Sequence, residues 1–320
     1  MPIFEMPLAE LQQYRGSSPR PPDIDRFWDA AVGDMRAVDP DVTLRPHPFP
    51  TSAAEMFDLT FTGVGGARVY AKYLRLANGS GAAHPAILLF HGYAGNSGDW
   101  GDKLAWVAQG YSVAAMDVRG QGGSSQDTGG TRGNTLHGHI IRGLDDGAES
   151  LLFRSVFLDT AQLAGIVLGF PEVDETRVGA MGASQGGALT VACAALEPRI
   201  ALAAPTFPFL SDYRRVWGMD LDVDAYAELR EYLRLFDPTH ERIGEMFARL
   251  AYIDIQNLAH RIRARILWTT GLMDTICPPS TQFAVYNKIT APKEMIIYPD
   301  FGHEDLPGLL DRQMAFFANM

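Results

Sequence analysis

Residues 177–187, Arg-Val-Gly-Ala-Met-Gly-Ala-Ser-Gln-Gly-Gly, constrain what this chain can fold into more than any other stretch. Arg177–Met181 reads as a buried strand, and Ala188–Leu196 as a helix of small apolar residues. Between them Gly182 and Gly186 stand two residues to either side of Ser184. A strained strand-to-helix turn has no room for side chains at those two positions, and it lifts the serine hydroxyl out of the sheet. The five-residue pattern alone recurs by chance. The strand before it and the helix after it make it the mark of a nucleophilic serine in an α/β domain. An ordinary turn in a non-catalytic α/β domain would explain the glycines, but not the serine between them.

The rest of the chain fits that frame. Asp23–Ala37 has helical periodicity with Trp28 on its apolar side, and Pro21-Pro22 precedes it as a start signal. Met56–Thr62 and Arg68–Leu76 alternate apolar and polar residues around Gly63-Val64-Gly65-Gly66, as an antiparallel pair at a sheet edge does. Asn78–Ala83 reads as a short connection. Short apolar runs then alternate with helical stretches, the pattern of a parallel sheet buried on both faces. The expected strands are Ala86–Phe90, Ser112–Asp117, Val178–Met181, Ala201–Ala204, Arg265–Thr270 and Glu294–Tyr298. The predicted architecture is an α/β-hydrolase fold: a mostly parallel central sheet flanked by helices, in one domain over 1–320. Residues 1–84 would form an N-terminal helix and edge hairpin, and 207–258 an inserted helical cap.

A serine hydroxyl is a weak nucleophile at neutral pH and needs an adjacent base, itself oriented by an acid. In this fold the order is Ser, acid, His, with both partners in loops after later strands. Of eight histidines, His303 alone has that order and position, following the last expected strand and preceding the last expected helix, Asp305–Ala318. Asp274, after Arg265–Thr270 in a Gly-x-x-Asp turn, is the expected acid; Asp300 reads as a turn residue close in sequence to the histidine. Two N–H groups should bind the oxyanion. One is the backbone N–H of Gln185, at a helix N-terminus; the other is that of Tyr93, in the His91-Gly92-Tyr93 loop. Tyr93, Phe207 and Pro208 are candidate walls of a short acyl pocket.

The sequence contains neither a phosphate-loop pattern nor recognisable metal-ligand spacing around His137 and His139. Neither a cofactor nor a metal is expected. The net charge of −11, without basic runs, disfavours a nucleic-acid or anionic-membrane partner. No leader pattern or membrane span is read, and two cysteines, Cys193 and Cys277, fit a reducing compartment as packing residues. The expected location is cytoplasmic.

Arg119-Gly120-Gln121, Gly182-Ala183-Ser184-Gln185-Gly186 and His303-Glu304, in that order, resemble the signature of the cephalosporin C deacetylase and acetyl xylan esterase family, carbohydrate esterase family seven. The likeness extends to Met1–Leu11, Phe27-Trp28, residues 173–177 and residues 276–280. The resemblance implies removal of acetyl groups from small acetylated sugars and from cephalosporin C, without a cofactor. It also implies a hexamer built as a dimer of trimers. Carried over, the triad is Ser184, Asp274 and His303, with Gln185 and Tyr93 as oxyanion donors, and Arg119 as a brace between loops. Residues 212–243 depart most from that pattern. Two other readings compete: a prolyl-oligopeptidase-like serine peptidase, which the short chain disfavours, and a non-catalytic α/β-hydrolase binding module.

Overall fold

The computed structural model describes residues 5–77, 82–128 and 139–320. Most of the 78–83 connection, His137 and the first four residues lie outside them. A single sheet of nine strands organises the chain: β1 (Thr43–Pro46), β2 (Ala54–Thr62), β3 (Arg68–Leu76), β4 (His84–Phe90), β5 (Ser112–Met116), β6 (Val173–Ala183), β7 (Leu202–Thr206), β8 (Arg265–Gly271) and β9 (Lys293–Tyr298). Their spatial order is β1-β2-β3-β5-β4-β6-β7-β8-β9. β1, β2 and β3 pair antiparallel, and β3 joins β5 antiparallel. From β5 to β9 every pairing is parallel. This is the expected α/β-hydrolase architecture.

The residue pattern explains the two halves of the sheet. β5 and β7 are buried at every position, as strands covered by helices on both faces must be. The β2–β3 pair instead buries Leu59, Phe61, Val69 and Ala71, with registers Leu59↔Ala71 and Phe61↔Val69. Its connection folds back because Gly65 and Gly66 take φ of 71° and 78°, and the Gly63 N–H donates to the Ala67 carbonyl at 2.8 Å.

Helix Ile24–Ala37 packs Trp28 against Phe157 of helix Leu152–Leu168, ring centres 5.9 Å apart, and its indole N–H donates to the Tyr252 carbonyl at 3.1 Å. The N-terminal region is thereby fastened to the body. Helix Gln185–Leu196 is buried throughout. Its small residues let it lie close on the sheet; a Cβ on Gly187 would sit 2.7 Å from the Thr206 carbonyl oxygen. Between β7 and β8 the chain forms three α-helices, Tyr213–Gly218, Ala227–Phe236 and Ile243–Leu250.

Candidate active site

The loops that leave the carboxyl ends of β4, β5, β6, β7, β8 and β9 carry the candidate residues, where open α/β sheets place ligands. Ser184 sits between β6 and helix Gln185–Leu196 at φ 58°, ψ −120°. A side chain held in such a sparsely populated region costs on the order of 1–3 kcal/mol and persists only when its surroundings over-determine it. Here they do. The Ser184 N–H donates to the Thr206 carbonyl at 3.0 Å, and its own carbonyl accepts from the N–H groups of Ala188 and Phe209, each at 3.0 Å. The flanking glycines are obligatory: a Cβ on Gly182 would lie 2.5 Å, and one on Gly186 2.0 Å, from the Phe90 carbonyl oxygen.

The β8 and β9 loops interlock. Leu272 N–H donates to the Tyr298 carbonyl and Met273 N–H to the Phe301 carbonyl, each at 3.0 Å. This contact brings His303 Nδ1 within 2.9 Å of Asp274 Oδ2. Asp274 is fully buried, and its Oδ1 accepts the N–H groups of Ile276 and Cys277 at 2.9 and 2.8 Å. A hydrogen bond from Nδ1–H to the carboxylate fixes the tautomer and leaves Nε2 as the basic nitrogen. Asp300 lies in an exposed turn. Of the expected pocket walls, the Phe207 ring stands 4.5 Å from the His303 ring, while Pro208 is buried against the position of Gly187.

Cys277 is closer to this chemistry than a packing role required. Its thiol is fully buried and pushed well above the ordinary thiol range by burial and then by Asp274, while the Ser184 side chain opposes that shift. Asp274, Cys277 and His303 form the group among the described residues whose donor atoms lie close enough to hold a metal, all within 4.8 Å. The carboxylate is already committed to the imidazole and to two N–H groups, and a thiol kept protonated is a poor ligand. The arrangement suits proton transfer at the His303 imidazole rather than coordination. The signal for Cys277 was its place three residues after Asp274 in the same turn.

On the other side of Ser184 the amides of Gln185 and Gln121 pair reciprocally, at 2.6 and 2.8 Å, and Gln185 Nε2 reaches the Gly92 carbonyl at 3.5 Å. Gln121 thus has a task that its spacing did not reveal. Tyr93 follows Gly92; its ring packs on Phe209 and His139, with centres 5.7 and 5.3 Å away. His91 is spent within the loop, its Nδ1 on the Gly92 carbonyl at 2.7 Å and its Nε2 accepting the Val118 N–H at 3.0 Å. Burial holds its pKa below the usual imidazole range. Arg119 is buried, forked onto Asp159 at 2.7 and 2.6 Å and donating to the Val64 carbonyl at 3.1 Å.

Residues 1–320 match the acetyl xylan esterase (AXE1) family over their whole length. The chain belongs to the acetyl xylan esterase family. Within that family's structures, acetyl xylan esterase 1 from a Thermoanaerobacterium species is 56% identical, with a TM-score of 0.96 over 98% of this chain and 99% of that one. An acetyl xylan esterase from a Paenibacillus species is 34% identical, with a TM-score of 0.93 and the same coverage. An acetyl esterase of Xylanibacter ruminicola is 27% identical over 285 residues, 87% of this chain. The chain spans 62% of that relative's length. Residues 212–243, which depart from the family pattern, hold helices Tyr213–Gly218 and Ala227–Phe236 and lead into Ile243–Leu250.

Proposed function

We propose that this protein is a serine esterase that removes acetyl groups from small acetylated substrates through an acetyl-enzyme. The observation that carries the reading is the strained, over-determined Ser184 at the β6 elbow together with a His303–Asp274 pair bonded at 2.9 Å. His303 takes the Ser184 proton as the oxygen attacks the acetyl carbonyl, and Asp274 stabilises the imidazolium that forms. The backbone N–H groups of Gln185 and Tyr93 bind the oxyanion; each such donor is worth roughly 100- to 1000-fold in turnover. His303 then protonates the departing alcohol, and water activated by the same imidazole releases acetate. No step requires a cofactor or metal.

Acetylated xylo-oligosaccharides are the substrate class suggested by the family and by its solved members, and cephalosporin C is a further candidate on the resemblance alone. Phe207, against His303, and Tyr93 would limit the acyl group to a short chain. The 207–258 segment would act as the cap over the site, and the hexamer and a cytoplasmic place of action follow from the family resemblance. Among the described residues no helix is long and apolar enough to cross a membrane.

The test is hydrolysis of p-nitrophenyl acetate, butyrate and octanoate by the native protein and by Ser184→Ala, with acetate release from acetylated xylo-oligosaccharides followed alongside. Acetate should be the preferred acyl group, and the variant should lose at least 1000-fold. Retained turnover in Ser184→Ala would remove the nucleophile assignment, and preference for octanoate would remove the acetyl reading.

A further inference from the structure

Glu228 is a buried acid that the mechanism above does not use. It stands in the first turn of helix Ala227–Phe236, is 2% exposed, and is separated from the β4 loop by more than a hundred residues of sequence. Its Oε1 accepts the Tyr93 hydroxyl at 2.7 Å. Its Oε2 accepts the backbone N–H groups of Ile140 and Ile141 at 2.7 and 3.0 Å. Burial raises its pKa above the usual carboxylate range, while Tyr93 and these N–H groups oppose that shift.

We propose that Glu228 is a positioning residue that sets the oxyanion loop through the Tyr93 side chain. The inference rests on the preceding reading that the Tyr93 N–H binds the oxyanion. The joint has three arms: the helix that bears the carboxylate, the backbone at 140–141, and the β4 loop. A carboxylate accepts on both oxygens; an amide can keep its oxygen on the Ile140 and Ile141 N–H groups only by turning its NH2 toward the Tyr93 hydroxyl, which must then accept instead of donating to a carboxylate. The Tyr93 ring is also held by Phe209, whose own N–H donates to the Ser184 carbonyl. The neighbouring Gly92 carbonyl faces the Gln185 amide. Ser184, Gln185 and Tyr93 therefore share one set of contacts, and the Glu228 bond fixes the member farthest from the elbow. An oxyanion donor acts only if it is aimed at the developing charge before reaction, so losing the bond should weaken the transition state more than substrate binding.

The experiment compares wild type, Tyr93→Phe, Glu228→Gln and the double variant, using p-nitrophenyl acetate kinetics and inhibition by methylboronic acid, which forms a tetrahedral adduct on the serine. Expected for each single variant are a kcat lower by 10- to 100-fold, a KM within threefold of wild type, and a boronate affinity weakened in parallel with kcat. The double variant should be no worse than Glu228→Gln, because both changes act on the same contact between Tyr93 and residue 228. Tyr93→Phe keeps the ring packing and carries the test if Glu228→Gln fails to fold. A Tyr93→Phe variant with kcat and boronate affinity within twofold of an active wild type overturns this inference alone, whatever its melting temperature. A wild type without esterase activity overturns the proposed function and this inference with it.

Discussion

Gly186 and Gly33 are the same residue kept for opposite reasons. A Cβ at 186 would meet the Phe90 carbonyl oxygen at 2.0 Å, backbone against backbone, whereas a Cβ at 33 would meet nothing within 4 Å. Gly186→Ala must push the end of β4 away from the elbow, an overpacking of about 1–3 kcal/mol that moves Ser184 and the β4 loop together. Gly33 lies exposed in helix Ile24–Ala37, where alanine is the better helix former by about 0.5–1 kcal/mol. Thermal unfolding with parallel ester hydrolysis should therefore show Gly33→Ala more stable and equally active, and Gly186→Ala less stable and at least 100-fold slower. Equal behaviour of the two variants would remove the close-approach argument. The sequence exposed Gly182, Ser184 and Gly186 because their constraint is local. The role of Glu228 was not visible, since it depends on Tyr93, a partner 135 residues away that only tertiary folding brings near.

At the scale of elements, one buried ion pair ties three pieces together. Arg119, after β5, forks onto Asp159 of helix Leu152–Leu168 and also donates to Val64 in the β2–β3 connection. The two side chains are 4% and 1% exposed. Burial raises the Asp159 pKa, and Arg119 opposes that shift. Removing one partner strands the other charge, so Arg119→Met should cost about 3–5 kcal/mol in denaturant unfolding, and Arg119→Met with Asp159→Leu should recover most of it. A double variant as unstable as the single would show that the pair, not the stranded acid, supplies the stability. The element boundaries show the same limits of local reading. The parallel strands were legible as apolar runs, but β1, exposed or half-buried along its length, has no such run. The last helix, expected from Asp305, begins at Leu309 because Pro307 and Gly308, at φ 72°, interrupt the chain before it.

The N-terminal segment is joined to the rest of the molecule through a pair of buried acids, and this makes whole-molecule stability depend on pH. Tyr14 Oη donates to Asp212 Oδ2 at 2.7 Å, and the Ser17 hydroxyl to Asp212 Oδ1 at 2.7 Å. The Asp212 N–H in turn donates to Asp254 Oδ2 at 3.0 Å. Both acids are fully buried. Burial, and then the charge of Asp212, pushes the Asp254 carboxyl up from 3.8 to about 7. Between those values the folded chain holds a proton that the unfolded chain has released, so unfolding loses a proton and stability falls as pH rises. Asp254→Asn cannot titrate; it loses an acceptor for the Gln256 groups that Asp254 now satisfies, a cost that does not vary with pH. The variant should therefore be the less stable protein near pH 4.5, and the gap should shrink, or reverse, by pH 8. Melting temperatures of both proteins across that range decide the matter: a gap that narrows with rising pH is the expected result, and one that stays constant or widens would mean that Asp254 folds already ionised.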